Sequence, residues 1–363
     1  MATAPSTSQE VCPSAAASGR VAFHTASDID EQASLLNGWN QTYNQMSLGE
    51  FTGSLLNAEI GPVRLFREYT ASSLDQTGQL PDDLYAFGVP LALYGAATFC
   101  GQPCDGSQLH MFSGRDRFQF HSPRGLTMAG IVLPRALLER KLFGEELEIR
   151  FSLHNLPALR TVEARHLAML RHLLLDAFTQ LAQDDDQTDG RLAPLTETLL
   201  SALATALTST PGQTSPAIPA ARASRLVRDA REIVRDAPDR RVRVDELCEE
   251  LGVSRRALQY SFEQMLGMSP AMYLRAIRLN GARRAIKAGE SVTSAATEWG
   301  FWHFGRFAHD YRYMFGELPS ETCRRYHGTM PCRHDSARAA VPPAGAYASA
   351  RRKPVVANEK EDP

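Results

Sequence analysis

Arg255, Arg256, Gln259 and Tyr260 follow Gly252-Val253-Ser254 in one short stretch. An arginine guanidinium can bridge O6 and N7 of guanine, and a glutamine amide can bridge N6 and N7 of adenine. Side chains of these types on the leading turns of a helix can therefore read base edges in a major groove. His303, Phe304, Arg306, His309 and Arg312 form a second set further along the chain. A third candidate is Cys100, Cys104 and His110. Their spacing, Cys-x3-Cys-x5-His, falls outside the patterns of structural zinc sites, so a buried small residue and a loop thiol are the preferred reading and no metal is assigned.

The elements that must position the first two sets are written in a repeat. Leu247 stands five residues before Gly252, and Ala295 five before Gly300. Each glycine precedes an apolar residue, a short polar run and a helix-period stripe: Leu258, Phe262, Leu266 in one copy and Phe307, Tyr311, Phe315 in the other. Gly267 and Gly316 then stop the helix, and Pro270 and Pro319 restart it. Two helix-turn-helix units are implied. Ser254 is placed to cap the second helix of the first unit, with Leu247, Leu251, Val253, Leu258 and Phe262 as its core. Between the units, a long helix is predicted from Pro270 to Lys287. Its Arg275, Arg278, Arg283, Arg284 and Lys287 read equally as a solvated face or as phosphate contacts.

The arrangement over residues 224–326, with the second unit ending GF…F…Y…FGELPSE, resembles the DNA-binding domain of AraC/XylS-type transcription regulators. The resemblance implies two recognition helices entering successive major grooves on one face of double-stranded DNA. By motif position, Arg256, Gln259 and Tyr260 fall where the first helix of family members reads bases, and Phe304, Gly305, Arg306 and His309 occupy the corresponding stretch of the second. Tyr260 stands where many relatives have arginine. Phe304 and Gly305 replace polar readers, which leaves Arg306 and His309 to carry the second reading, and Trp302 is read as local packing. More narrowly, GFWHFGRFAHDYRYMFGELPSE, with DEQASLLNGWNQTYNQMSLGEFTGSL and RLFRE, is similar to the ethanolamine-operon-regulator subgroup. That likeness implies a cupin-like N-terminal sensor barrel and a small-molecule effector; the broader family implies positive control of a promoter, with RNA polymerase as partner, and no cofactor is expected.

The rest of the chain fits that frame. Its 363 residues allow two or three domains. Residues 1–223 carry 15 Lys+Arg against 23 Asp+Glu, whereas residues 224–327 carry 18 against 14, so the C-terminal part suits a polyanion. No apolar run approaches a membrane span, and the N-terminus lacks the basic and apolar regions of a signal peptide, which places the protein in the cytoplasm. Six scattered cysteines suit a reducing compartment.

An amphipathic helix is predicted from Ile29 to Met46, capped by Asp28. Strands are predicted at Ser54–Ile60, Val63–Tyr69, Tyr85–Leu91, Gln108–Phe112, Phe118–His121 and Leu126–Leu133. Helices follow from Pro134 to about Phe143, Val162 to Leu181 and Pro194 to Leu207. The last two read either as intradomain core or as the seam of a homodimer.

The fold class is therefore α+β. Residues 1–20 form a disordered N-terminus, 21–208 a cupin-like sensor and dimerisation domain, 209–223 a linker, 224–327 an all-α DNA-binding domain and 328–363 a disordered tail. The effector site stays unassigned: Trp39, Tyr43, Arg64, Arg67 and Phe87 are pocket candidates, with core packing the alternative for the aromatics. The rival reading is a cupin-type metal enzyme or a DNA-repair protein carrying the same DNA-binding module. Against it, no His-x-His pair accompanies His110 or His121, and there is no N-terminal cysteine cluster, Walker loop, dinucleotide fingerprint or nucleophile elbow.

Overall fold

The computed structural model of the protein describes residues 21–143, 157–183, 189–209, 218–236 and 242–328. Both tails and the centre of the expected linker lie outside them. A β-rich part comes first, with β1 (Val21–Ala26), the short helix α1 (Ile29–Ser34), β2 (Asn40–Gln45), β3 (Gly53–Ile60), β4 (Val63–Thr70), β5 (Leu74–Gln79) and β6 (Leu84–Ala92). The two-residue strands β7 (Thr98–Phe99) and β8 (Gln102–Pro103) precede β9 (Gln108–Ser113), β10 (Phe118–Ser122), β11 (Leu126–Pro134), α2 (Arg135–Phe143) and β12 (Leu159–Thr161). Helices α3 (Ala164–Gln183) and α4 (Asp189–Thr208) close this part.

The strands pair antiparallel in two sheets, ordered β1-β3-β4-β11-β6-β9-β12 and β2-β5-β10-β7-β8. The α+β class holds, but the expected barrel is not closed, and each sheet keeps its own edges. Aromatic side chains from both sheets explain this. Phe112 of the larger sheet meets Phe99 and Phe118 of the smaller at ring separations of 4.9 Å, and Trp39 inserts against Phe66, Phe112 and Phe118. A layer of edge-to-face rings holds the two sheets face to face, as in a sandwich. On the other face of the larger sheet, Leu170, Leu174 and Ala177 of α3 and Leu199 and Leu203 of α4 share one core with Leu65, Phe87 and Ile131. The buried stripes of α3 and α4 are thus intradomain core.

The predicted helix from Ile29 to Met46 is corrected. Only α1 forms, with Asp28 as its N-cap, and Gly38 at φ 83° turns the chain into strand β2. The separation of four between Trp39 and Tyr43 is even, so it fits one face of extended chain as well as one face of a helix.

The helical part comprises α5 (Ile218–Asp236), α6 (Val244–Glu250), α7 (Arg255–Leu266), α8 (Pro270–Lys287), α9 (Val292–Glu298), α10 (Phe304–Phe315) and α11 (Pro319–His327). Helix α5 begins inside the stretch read as a linker. Among the described residues no helix is long and apolar enough to cross a membrane. Cys100, Cys104 and Cys248 are free thiols, whereas Cys323 is disulfide-bonded, which departs from the all-reduced expectation.

Helix α8 is the seam between the two parts. Asn280 exchanges hydrogen bonds with the backbone of Gln45, donating to its carbonyl at 2.9 Å and accepting from its N–H at 3.0 Å. Arg283 reaches Asp28 at 3.1 Å and Glu317 at 2.7 Å, and Lys287 reaches Asp28 and Asp30 at 2.6 and 2.7 Å. Arg284 donates to Asp30 at 2.9 Å and to Asn44 at 3.0 Å. From α5, Arg231 pairs with Asp75, which also accepts from the Tyr273 hydroxyl at 2.8 Å. Burial works against the charged Asp28 carboxyl, but Lys287 and Arg283 outweigh it and hold Asp28 below its ordinary value. The two readings offered for the α8 cations are both corrected for Arg283, Arg284 and Lys287, which tie the helical part to the β-rich part.

Candidate nucleic-acid interface

The two helix-turn-helix units repeat bond for bond. In the first, Leu251, Gly252 and Val253 donate to the carbonyls of Leu247, Glu249 and Cys248 at 3.0, 3.2 and 3.0 Å. In the second, Trp299, Gly300 and Phe301 donate to Ala295, Thr297 and Ala296 at 3.1, 3.0 and 2.8 Å. Gly252 and Gly300 adopt φ of 63° and 76°, the left-handed conformation that a side chain disfavours and that turns α6 into α7 and α9 into α10. The predicted stripes are buried in one core that also includes Leu247, Ala295 and Ile286. Ser254 caps α7 by accepting from the Ala257 N–H at 3.2 Å, and Gly267 and Gly316 end α7 and α10 at φ 66° and 78°.

With one face of each helix fixed, the other is offered to solvent. On α7, Arg255, Arg256 and Tyr260 are exposed and Gln259 is half-buried. Arg255 pairs with Asp245 at 2.6 Å, and Gln259 donates to Glu263. On α10, His303, Phe304, Arg306, His309 and Arg312 are all exposed. His303 occupies the N-cap position without a side-chain capping bond, and His309 stacks on Tyr313 at 5.9 Å. A Cβ at Gly305 would meet nothing within 4 Å, so the fold itself does not require glycine there. The structure thus brings each predicted set onto one accessible helix.

Trp302 is not a core residue: it is 64% exposed. With Met272, Arg275, Arg278, His303 and Arg306 it lines a cavity of about 390 Å³ between α8 and the start of α10. Met272, on α8, is likewise 57% exposed. Arg275 is tied to Asp310 of α10, and Arg278 lies over the Phe301 ring at 5.3 Å. Neither contact could be read from spacing, since each joins residues far apart in sequence.

The other candidates fall elsewhere. His110 and His121 are buried, and loss of solvent pulls their pKa values down to about 3 and about 4. Burial pushes the Cys104 thiol up to about 12. Among the described residues no group of three or more His, Cys, Asp or Glu side chains is placed to hold a metal ion. Tyr43 and Phe87 are core residues, and Trp39 and Arg64 border a small cavity of about 50 Å³.

A family of helix-turn-helix domains matches residues 247–325. The probable thc operon regulatory protein of Rhodococcus erythropolis is 44% identical over 94 residues, covering 25% of this chain and 27% of that protein. The XylDLEGF operon transcriptional activator 1 of Pseudomonas putida is 40% identical over 90 residues, covering 24% of this chain and 27% of that protein. The matches thus span 27% of the length of both curated relatives. The crystal structure of the AraC-like transcriptional activator CuxR is 14% identical, with a TM-score of 0.39, covering 71% of this chain and 94% of that one. Residues 247–325 are a helix-turn-helix domain.

Proposed function

We propose that this chain is a transcription regulator of the AraC/XylS type, binding a promoter or operator in double-stranded DNA through α7 and α10. One observation carries the reading: two units with the same turn hydrogen bonds each present an exposed helix face bearing arginine and other hydrogen-bonding side chains. Arg256, Gln259 and Tyr260 read bases in one groove, and Arg306 and His309 in the next. Arg255, His303 and Arg312 flank these readers and take phosphate contacts. Phe304 supplies an apolar surface for a thymine methyl, and the open space around Gly305 admits close approach of the DNA backbone.

Activation is the output we assign, supported by the names of the Pseudomonas relatives, and RNA polymerase is its protein partner. A small-molecule effector acts through the β-rich part. Exposed Met169 and Leu175 on α3 supply a surface for a homodimer. We place the protein in the cytoplasm, retain the ethanolamine-operon-regulator likeness as its narrower affinity, and assign it no enzymatic reaction. The proposed domain division is a sensor at 21–208, a linker at 209–223 and a DNA-binding domain at 224–327.

Fluorescence anisotropy on a selected operator tests the base readers. Arg256→Ala and Arg306→Ala each lower specific affinity by about 1 to 3 kcal/mol and relax preference at one base position. Losses equal on every sequence make that arginine a phosphate contact instead.

A further inference from the structure

Helices α7 and α10 both end against the β-rich part. The last four carbonyls of an α-helix have no partner within it, and where they are buried a donor must come from elsewhere. At the end of α10, Gln45 donates from Nε2 to the Met314 carbonyl at 2.8 Å, and the Gly49 N–H donates to the carbonyls of Tyr313 and Met314 at 3.2 Å. Gln45 is buried, and the same amide donates to the carbonyls of Ser47 and Gly49 at 2.9 and 2.6 Å, which shapes the loop after β2 to the helix end. At the end of α7, the buried His121 ring donates to the backbone of Leu266. Both ends lie close to their anchors: a Cβ on Gly316 would stand 2.2 Å from the Glu50 side chain, and one on Gly267 would touch Ala96 at 3.5 Å.

The two anchors belong to one sheet. Gln45 ends β2 and His121 lies in β10, and β5 pairs with both strands: Leu74 stands opposite Gln45 on one side and opposite Ser122, the neighbour of His121, on the other. The backbone of Gln45 also carries the two hydrogen bonds from Asn280 of α8. One end of a hydrogen-bonded sheet thus holds α7, α8 and α10 together. Apolar packing of the two units on α8 is non-directional, whereas these hydrogen bonds demand a particular position and angle of each helix end. Each of α7 and α10 has 12 residues and is about 18 Å long, so a tilt at its anchored end displaces its leading turns, where Arg256 and Arg306 lie.

We propose that the five-stranded sheet sets the separation and tilt of the two recognition helices, with Gln45 and His121 as positioning residues, and so fixes the spacing of the two DNA segments that the protein accepts. The inference rests on the regulator reading above. It gives the β-rich part a share in sequence selection that no base contact supplies: α7 and α10 choose the bases, and the sheet chooses the distance between them.

The test compares the affinity of the full chain, by fluorescence anisotropy, for a selected operator and for the same operator with one base pair inserted or removed between its two segments. That step moves the second segment by about 3.4 Å and turns it by about 35° around the duplex. The wild type should prefer the original spacing. Gln45→Met and His121→Phe nearly keep the bulk of the side chain and lose the donor, and each should narrow that preference about fivefold, as loss of one buried hydrogen bond implies. Lys287→Ala loosens α8 from Asp28 and Asp30 without touching either helix end, and should leave the ratio of affinities as it is. A ratio unchanged in both donor variants, each shown to be folded by its melting transition, overturns the inference, and so does a ratio that falls equally in Lys287→Ala. Should one donor variant fail to fold, the other decides. Specific binding by the wild type with no spacing effect in the variants leaves the regulator standing, whereas absence of specific binding by the wild type removes the regulator and this inference with it.

Discussion

Asp75 and Arg231 meet with side-chain exposures of 3% and 2%, and the Tyr273 hydroxyl completes the group. Replacing one member of such a pair strands the other charge away from water, so Asp75→Asn should cost about 3 to 5 kcal/mol. Denaturation of the full chain measures it, and a loss under about 1 kcal/mol, the level of an exposed pair, contradicts the assignment. His110 and His121 give the stability a pH dependence of definite sign. Their folded pKa values of about 3 and about 4 lie below the ordinary 6.5, so between pH 6.5 and about 4 the unfolded chain takes up protons that the folded chain refuses. Stability should fall through that window by about 1 kcal/mol per pH unit for each histidine, with no contribution from them above pH 6.5. A midpoint of denaturation that holds steady from pH 7 to 5 refutes this. At this scale the base-reading candidates were legible in the sequence, because helix spacing decides which side of α7 and α10 each occupies. The partners of Arg283, Arg284 and Lys287 were not, because Asp28 and Asp30 lie in the first strand-to-helix segment and no local periodicity links them to α8.

Helix α8 crosses Trp299 at a point where only glycine fits. A Cβ on Gly281 would lie 2.2 Å from the Trp299 ring, and the ring belongs to the turn that orients α10. Gly281→Ala should therefore destabilise the helical part by about 1 to 3 kcal/mol through overpacking. Tryptophan fluorescence during urea unfolding reads the loss, and an unchanged transition means that the ring moves aside freely. The helix-turn-helix elements were readable in advance because their caps, turn glycines and stripes are all local. The six predicted strands also formed, whereas β1, β2, β5 and the short β7, β8 and β12 escaped notice. Polar Thr42, Asn44 and Thr77 break the apolar pattern of β2 and β5, since they lie on the sheet face that helices from the other part of the chain cover.

The whole molecule makes sense of a charge division that sequence alone left as a hint of polyanion binding. Some of the C-terminal cations are spent on the acidic N-terminal part, through Arg231, Arg283, Arg284 and Lys287, and so are withdrawn from any contact with DNA. In the proposed reading the cationic set on α7 and α10 is what meets DNA, on two exposed helices held by one core. Hydroxyl-radical footprinting of the full chain on its operator is the most direct measurement of that joint action. Two protected segments about 10 base pairs apart on one face of the duplex are expected, one for each recognition helix. A single protected segment would show that one unit does not engage, and would contradict the paired reading.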